Sequence, residues 1–141
     1  MRSFISLSIL AFYLCFVVTI TIVSRNQSLN AQFNYILFWS YKAIASGNIS
    51  LIAQVFWNVV LFIPMGILLM LILTHKNKWI ITISIGIIIS MTIELIQLIS
   101  HRGLFEFDDI IHNSLGTIIG VGIYLFFSKA YKYLLSRIRH K

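Results

Sequence analysis

All four acidic residues of the chain, Glu94, Glu106, Asp108 and Asp109, fall within positions 94–109. His101, His112 and Arg102 stand in or beside the same window. Carboxylates beside imidazoles can pass protons as general acids and bases. Carboxylates and histidines together can also ligate a metal. An arginine there can bind a phosphate or carboxylate through paired N–H groups. Glu94 lies inside an apolar run of spanning length, where an ionised side chain costs roughly 2.5–3.5 kcal/mol on insertion scales. It needs a partner or a purpose, and the stretch from Glu94 to Asn113 is the candidate site.

Each of these residues also has an ordinary reading. Asp108 and Asp109 open a predicted helix, where a carboxylate caps free amides and suits the positive end of the dipole. Two carboxylates are one more than the cap requires. Glu94 can pair with Arg102, or hydrogen-bond Gln97 or Asn58 when protonated. Arg102 can form a local ion pair with Glu106 or Asp108 instead of meeting a phosphate. Lone histidines are commoner at membrane interfaces than metal sites are, so no metal and no cofactor is expected. Cys15 is the only cysteine, which leaves no disulfide framework and no thiol metal site. Ser90, Ser100 and Ser114 lack the context of a nucleophile, and no G-x-S-x-G, zincin or P-loop pattern is present.

Helical spacing groups the polar residues. Ser90, Glu94, Gln97 and His101 follow at i, i+4, i+7 and i+11, one face of a helix. Asp109, Asn113, Gly116 and Gly120 repeat that spacing, and Asp108 with His112 forms an adjacent i,i+4 pair. Gln54 and Asn58 add two amides at i,i+4. Gly116-x-x-x-Gly120 allows two helix backbones to approach closely. Pro64 removes a backbone hydrogen bond and is expected to kink its helix near Gly66.

The elements that must position these residues are membrane spans. Of 141 residues, 59% are apolar and 11% charged, and the mean hydropathy is +0.92. A soluble domain of this size cannot hide that much apolar surface. The chain reads as an all-α, polytopic membrane protein: one domain, a bundle of four transmembrane helices. Runs at 4–23, 51–73, 79–99 and 110–127 reach the length of about 20 residues that a span requires. The last is the weakest, because His112, Asn113 and Ser114 interrupt its first turn. The first run is too long for a signal peptide core and lacks a cleavage pattern, so it reads as a retained helix.

Basic residues orient the bundle. With both termini and the loop 75–78 in the cytoplasm, that side holds Arg2, Lys76, Lys78, Lys129, Lys132, Arg137, Arg139 and Lys141. Arg25, Lys42 and Arg102 remain on the other side. The net charge of +7 then serves orientation and contact with anionic lipid. Nucleic acid is not an expected partner, since no water-soluble domain presents the charge. The acidic window faces away from the cytoplasm. The connector 24–50 carries an aromatic stretch, 33–44, expected to lie along the outer interface with Tyr35, Trp39 and Tyr41 keeping one edge wet. An ordered outer loop is the alternative. Residues 128–141 are expected to form a basic amphipathic tail at the cytoplasmic surface.

Several of these residues stand in a familiar order. Asn58 to Gly66 reads N-x3-F-x-P-x-G, Glu94 and Gln97 form E-x2-Q, Arg102 follows, and Phe105 to Gly120 reads FEFDDIIHNSLGTIIG. Together they resemble the VanZ-like family, over roughly Asn30 to Tyr124. Gln32-Phe33 departs from the proline-phenylalanine pair such proteins often carry. The family is named for an accessory teicoplanin-resistance protein. The resemblance implies a multi-pass protein of the bacterial cytoplasmic membrane and a phenotype, reduced susceptibility to a lipoglycopeptide, rather than a reaction.

The function expected from all this is non-enzymatic: an envelope protein binding an amphiphilic lipid, a cell-wall precursor or the drug itself at a polar site facing the outer leaflet. Asn58, Glu94, Gln97, Arg102, Asp108, Asp109 and Asn113 would form its polar end, and Pro64, Gly66, Gly116 and Gly120 its frame. The alternative is an intramembrane enzyme acting on a lipid or wall intermediate, with Glu94 or Asp109 as acid–base group and His112 as proton partner. A third reading makes the polar stripes interhelical glue only. A fourth, proton-coupled transport, would need a homo-oligomer to enclose a path.

Overall fold

The computed structural model describes residues 2–23, 32–34 and 36–139. Residues 24–31 of the connector, with Arg25, and also Tyr35 and Lys141, lie outside the described residues. Helix α1 spans Arg2–Val18 and passes into a π-turn at Thr19–Val23. A short strand β1, Gln32–Asn34, precedes helix α2, Trp39–Ala45. Helices α3, Ser50–Ile72, and α4, Lys78–Ile99, follow. Strand β2, Leu104–Glu106, leads directly into the last helix, α5, Phe107–Arg139.

Among the described residues, four helices are long and apolar enough to cross a membrane: Phe4–Val23, Ser50–Ile72, Lys78–Ile99 and Phe107–Ile138. Only 11 to 33% of each spanning window is buried inside the protein, so most of the apolar surface faces outward. A helix apolar all round needs a hydrocarbon solvent on its outer side. The interior is correspondingly thin, built on Val17, Ile22, Phe62, Met65, Leu69 and Ile93.

Helices α3 and α5 form the tightest pair. A Cβ on Gly116 would lie 2.1 Å from the Val59 carbonyl oxygen, and one on Gly120 would lie 2.3 Å from that of Ile63. On Gly66 it would lie 2.5 Å from the Thr117 carbonyl oxygen. Small residues at these positions let two backbones touch, which is how apolar helices associate in lipid without a hydrophobic driving force. Helix α3 continues through Pro64 to Ile72. Pro64 leaves the Val60 carbonyl without its usual intrahelical donor, and one residue on, the Tyr13 hydroxyl of α1 donates to the Leu61 carbonyl.

Three features differ from the sequence expectation. First, the all-α bundle carries a two-stranded parallel pairing, with Gln32, Phe33 and Asn34 opposite Leu104, Phe105 and Glu106. It satisfies backbone groups of the connector and of the α4–α5 loop. Second, the aromatic stretch 33–44 is not one element: it begins in β1 and ends in α2. Third, the last helix starts at Phe107 rather than near 110 and runs for 33 residues, roughly 50 Å at 1.5 Å per residue. His112 and Asn113 do not weaken its start, because they are buried inside the bundle.

At the end of the bundle where α3 gives way to α4, Lys78 Nζ donates to the Met70 carbonyl at 2.7 Å and to the Tyr124 hydroxyl at 2.9 Å. The same ammonium lies 4.3 Å from the Tyr124 ring centroid. This basic end is opposite the acidic end, where α4 finishes and α5 begins.

Candidate functional site

Helix α4 ends with a reversal built on His101. Its φ is +55°, its N–H reaches the Leu98 carbonyl at 3.2 Å, and the Arg102 N–H reaches that of Gln97 at 2.9 Å. This is the paired closure of a left-handed helix terminus, formed here without glycine. It takes His101 off the α4 stripe and into an exposed position. Of the expected i, i+4, i+7, i+11 set, Ser90, Glu94 and Gln97 are buried and His101 is not part of the site.

All four carboxylates are buried, between 1 and 6% exposed. Their partners tie separate elements together. Glu94 Oε2 accepts the Glu106 backbone N–H at 2.9 Å, joining α4 to β2. Gln54 Nε2 of α3 donates to Glu106 Oε2 at 3.0 Å and lies 3.4 and 3.5 Å from the two oxygens of Asp109. One layer deeper, Asn113 Nδ2 donates to Ser90 Oγ at 2.9 Å, joining α5 to α4. Thr117 Oγ1 then donates to the Asn113 carbonyl at 3.2 Å.

Asp108 does cap a helix, but not its own. Its Oδ1 accepts the Phe38 N–H at 2.6 Å, and its Oδ2 accepts the Ser40 N–H at 3.0 Å and the Ser40 hydroxyl. These are donors at the start of α2, beside Phe38 with φ +60°. One turn along α5, His112 Nε2 shares a 2.9 Å hydrogen bond with the Tyr41 hydroxyl, with the two rings edge to face. Asp108 and His112 thus hold α2 at two points. Ser40 and Tyr41 were not among the expected site residues, because no spacing in the connector ties them to positions about 70 residues later.

Arg102 and Gln97 hold the end of α1. Arg102 Nη1 donates to the Val23 carbonyl at 2.8 Å, and Gln97 Nε2 donates to that of Thr21 at 2.9 Å. Among the described residues Arg102 meets this carbonyl rather than the expected carboxylates of Glu94, Glu106 or Asp108. A cation beside the last carbonyls of a helix suits its negative end. Five side-chain polar atoms are buried with no hydrogen-bond partner among the described residues: Asn58 Nδ2, Gln97 Oε1, His112 Nδ1, Trp39 Nε1 and Thr82 Oγ1. Among the described residues no group of three or more His, Cys, Asp or Glu side chains is placed to hold a metal ion.

An apolar groove of about 590 Å³ runs between α1 and α3, lined by Tyr13, Phe16, Ile20, Trp57, Val60, Leu61 and Pro64. Its Ile20 and Trp57 neighbour in sequence Thr21, which Gln97 holds, and Asn58.

Compared with known families, the chain matches the VanZ/LLP1 model over residues 10–128. It belongs to the VanZ/LLP1 family. The match takes in α2, all of α3 and α4, and the acidic end complete. No curated protein and no solved structure matches the chain. With four apolar spans, this VanZ-like chain is a multi-pass membrane protein. Its most polar residues lie in a buried knot at one end. The VanZ-like motifs divide by role within it. The N-x3-F-x-P-x-G piece supplies the α3 backbone against which Gly116 and Gly120 pack. Glu94 and Gln97 fasten α4 to β2 and to α1, and Asp108, Asp109 and Asn113 fasten α5 to α2, α3 and α4.

Proposed function

We propose that this VanZ-like protein lowers susceptibility to a lipoglycopeptide such as teicoplanin by binding an amphiphile in the outer leaflet of the bacterial cytoplasmic membrane. The amphiphile is a lipid, a lipid-linked wall precursor or the acylated drug. Its chain lies in the groove between α1 and α3, and its polar group meets the acidic end. The observation that carries this reading is the groove's position. Its lining is almost entirely apolar, and Ile20 and Trp57 adjoin in sequence Thr21, which Gln97 holds, and Asn58; among the described residues Asn58 Nδ2 and Gln97 Oε1 have no hydrogen-bond partner. An apolar slot with a few polar atoms at one end is the usual make-up of a ligand site. The distribution of basic residues supports an outward-facing acidic end.

Susceptibility to teicoplanin and vancomycin in a strain lacking the gene tests the proposal. The strain is complemented with wild type, Glu94→Gln, Asp109→Asn or Val60→Trp, and membrane abundance is measured for each. Wild type is expected to raise teicoplanin tolerance, and Val60→Trp, which fills the groove, to abolish the gain at equal abundance. A strain whose susceptibility no version alters overturns it.

A second reading, an intramembrane enzyme, draws on His112, which meets Tyr41 through Nε2 and keeps Nδ1 buried without a partner among the described residues. Glu94 or Asp109 would serve as acid–base group. Identical lipid profiles in deletion and overexpressing strains would exclude it.

A further inference from the structure

Each end of the bundle has a cation on the last carbonyls of a span, and the two differ in what covers the rest of the charge. At the basic end Lys78 Nζ donates to the Met70 carbonyl, and the Tyr124 hydroxyl and ring take the remainder of the ammonium. At the acidic end Arg102 Nη1 donates to the Val23 carbonyl at 2.8 Å. A guanidinium carries several further N–H donors in a planar fork, and among the described residues none of these has a protein partner. The nearby carboxylates face other elements: Asp108 holds Phe38 and Ser40, Glu94 holds the Glu106 N–H, and Gln54 bridges Glu106 and Asp109. Arg102 is half-buried, so its free edge is open to a ligand.

Position gives this uncovered charge a meaning. The α1 span ends at Val23, so Arg102 stands where hydrocarbon gives way to headgroups. The apolar groove begins on the same π-turn, at Ile20, and runs inward past Phe16 to Tyr13. Trp57, Val60, Leu61 and Pro64 of α3 form its other wall. Both walls are spans, so the groove fills from the bilayer.

We infer that the occupant is a membrane phospholipid, with one acyl chain in the groove and its phosphodiester on Arg102; this rests on the amphiphile-binding reading above and names the ligand class. A phosphate matches the paired N–H groups of a guanidinium. It also supplies the anion that the described side chains do not. Among the described residues no second lysine or arginine hydrogen-bonds the end of α1, so the site suits one negative charge rather than the diphosphate of a lipid-linked wall precursor.

Tryptophan quenching in the full chain tests this. With Trp39→Phe and Trp79→Phe, Trp57 in the groove wall is the sole reporter, read in dodecyl maltoside, a detergent without phosphate. Brominated phosphatidylglycerol is expected to quench it at several-fold lower concentration than brominated diacylglycerol. Arg102→Gln should abolish that difference and leave the diacylglycerol curve in place, while Arg102→Lys, which keeps the charge, should retain part of it. Equal quenching by the two lipids, a preference that survives Arg102→Gln, or an Arg102→Lys chain that behaves as Arg102→Gln does, overturns the phosphate contact and leaves the groove as an amphiphile site. Loss of both curves in Arg102→Gln shows that the arginine only shapes the groove, with the same consequence. A sister chain with Trp39→Phe and Trp57→Phe reports from Trp79 at the basic end. If neither lipid quenches Trp57 more than Trp79, the groove takes no lipid chain, and the proposed function falls together with this inference. Unlabelled polyprenyl diphosphate is the last arm. If it displaces the brominated lipid several-fold better than unlabelled phosphatidylglycerol does, the occupant is the wall precursor, and the phospholipid is overturned.

Discussion

The two ends of this protein use charge in opposite ways. At the acidic end every carboxylate is buried and reaches across to another element: Asp108 to α2, Glu94 to β2, and Glu106 and Asp109 to Gln54 of α3. At the basic end Lys78 makes such a link, to Met70 and Tyr124. Lys129, Lys132 and Arg137 are exposed on α5. Buried charge in a membrane domain is costly and therefore specific, because each group must find its partner or the fold fails. Exposed charge specifies orientation and little else. One end fixes which elements meet, and the other fixes which way they point.

Removing a carboxylate at the acidic end should have the largest effect. Asp108→Ala leaves two backbone donors and a hydroxyl at the start of α2 without their acceptor. Hydrogen bonds to charged groups are worth about 1.5–3 kcal/mol each, so losing three should cost at least about 4.5 kcal/mol. Faster proteolysis near residues 36–45 and lower membrane abundance would show it. A variant as protease-resistant as wild type would break the contrast between the ends. Next comes the frame beneath that end. Gly116→Ala drives a methyl group into the α3 backbone and should cost about 1–3 kcal/mol as overpacking, read as a lower midpoint of thermal unfolding in detergent. Asn113→Ala removes one interhelical bond of a kind that averages about 0.6 kcal/mol. Its expected signature is a small drop in that midpoint, with teicoplanin susceptibility unchanged at matched abundance. Smallest of all, Lys132→Gln should move stability by less than about 0.5 kcal/mol, as surface substitutions do. A larger loss would show that the basic end is also structural.

The same contrast explains what the sequence made legible. The four spans follow from hydropathy, because lipid-facing helices need no periodic polar face to declare themselves. The meeting of Ser90 with Asn113 on neighbouring helices follows from helical spacing. Gly66, Gly116 and Gly120 declare a close approach through their size. The rest depends on partners that spacing does not reveal. Asp108 looks like a cap for α5 because it stands in that helix's first turn, yet its donors lie 68 and 70 residues earlier. Arg102 looks like half of an ion pair, whereas its partner is a backbone carbonyl, which carries no side-chain signature. His101 extends the α4 stripe only if the helix continues. A left-handed turn at a residue other than glycine gives no warning that it stops. Strands of three residues are too short to show alternation.

The reach of Asp108 also sets an order of events during biogenesis. Phe38 and Ser40 leave the ribosome long before residue 108 is made, and at least two spans are inserted in between. Until the final segment enters the membrane, the start of α2 lacks its acceptor, and strand β1 lacks β2. Domains form in the direction of synthesis where their contacts are local, but here an early segment must wait for a late one. A chain arrested after α4 would carry its connector undocked, open to quality-control proteases. Insertion of the last helix is then the step that completes the acidic end of the protein as well as its own span.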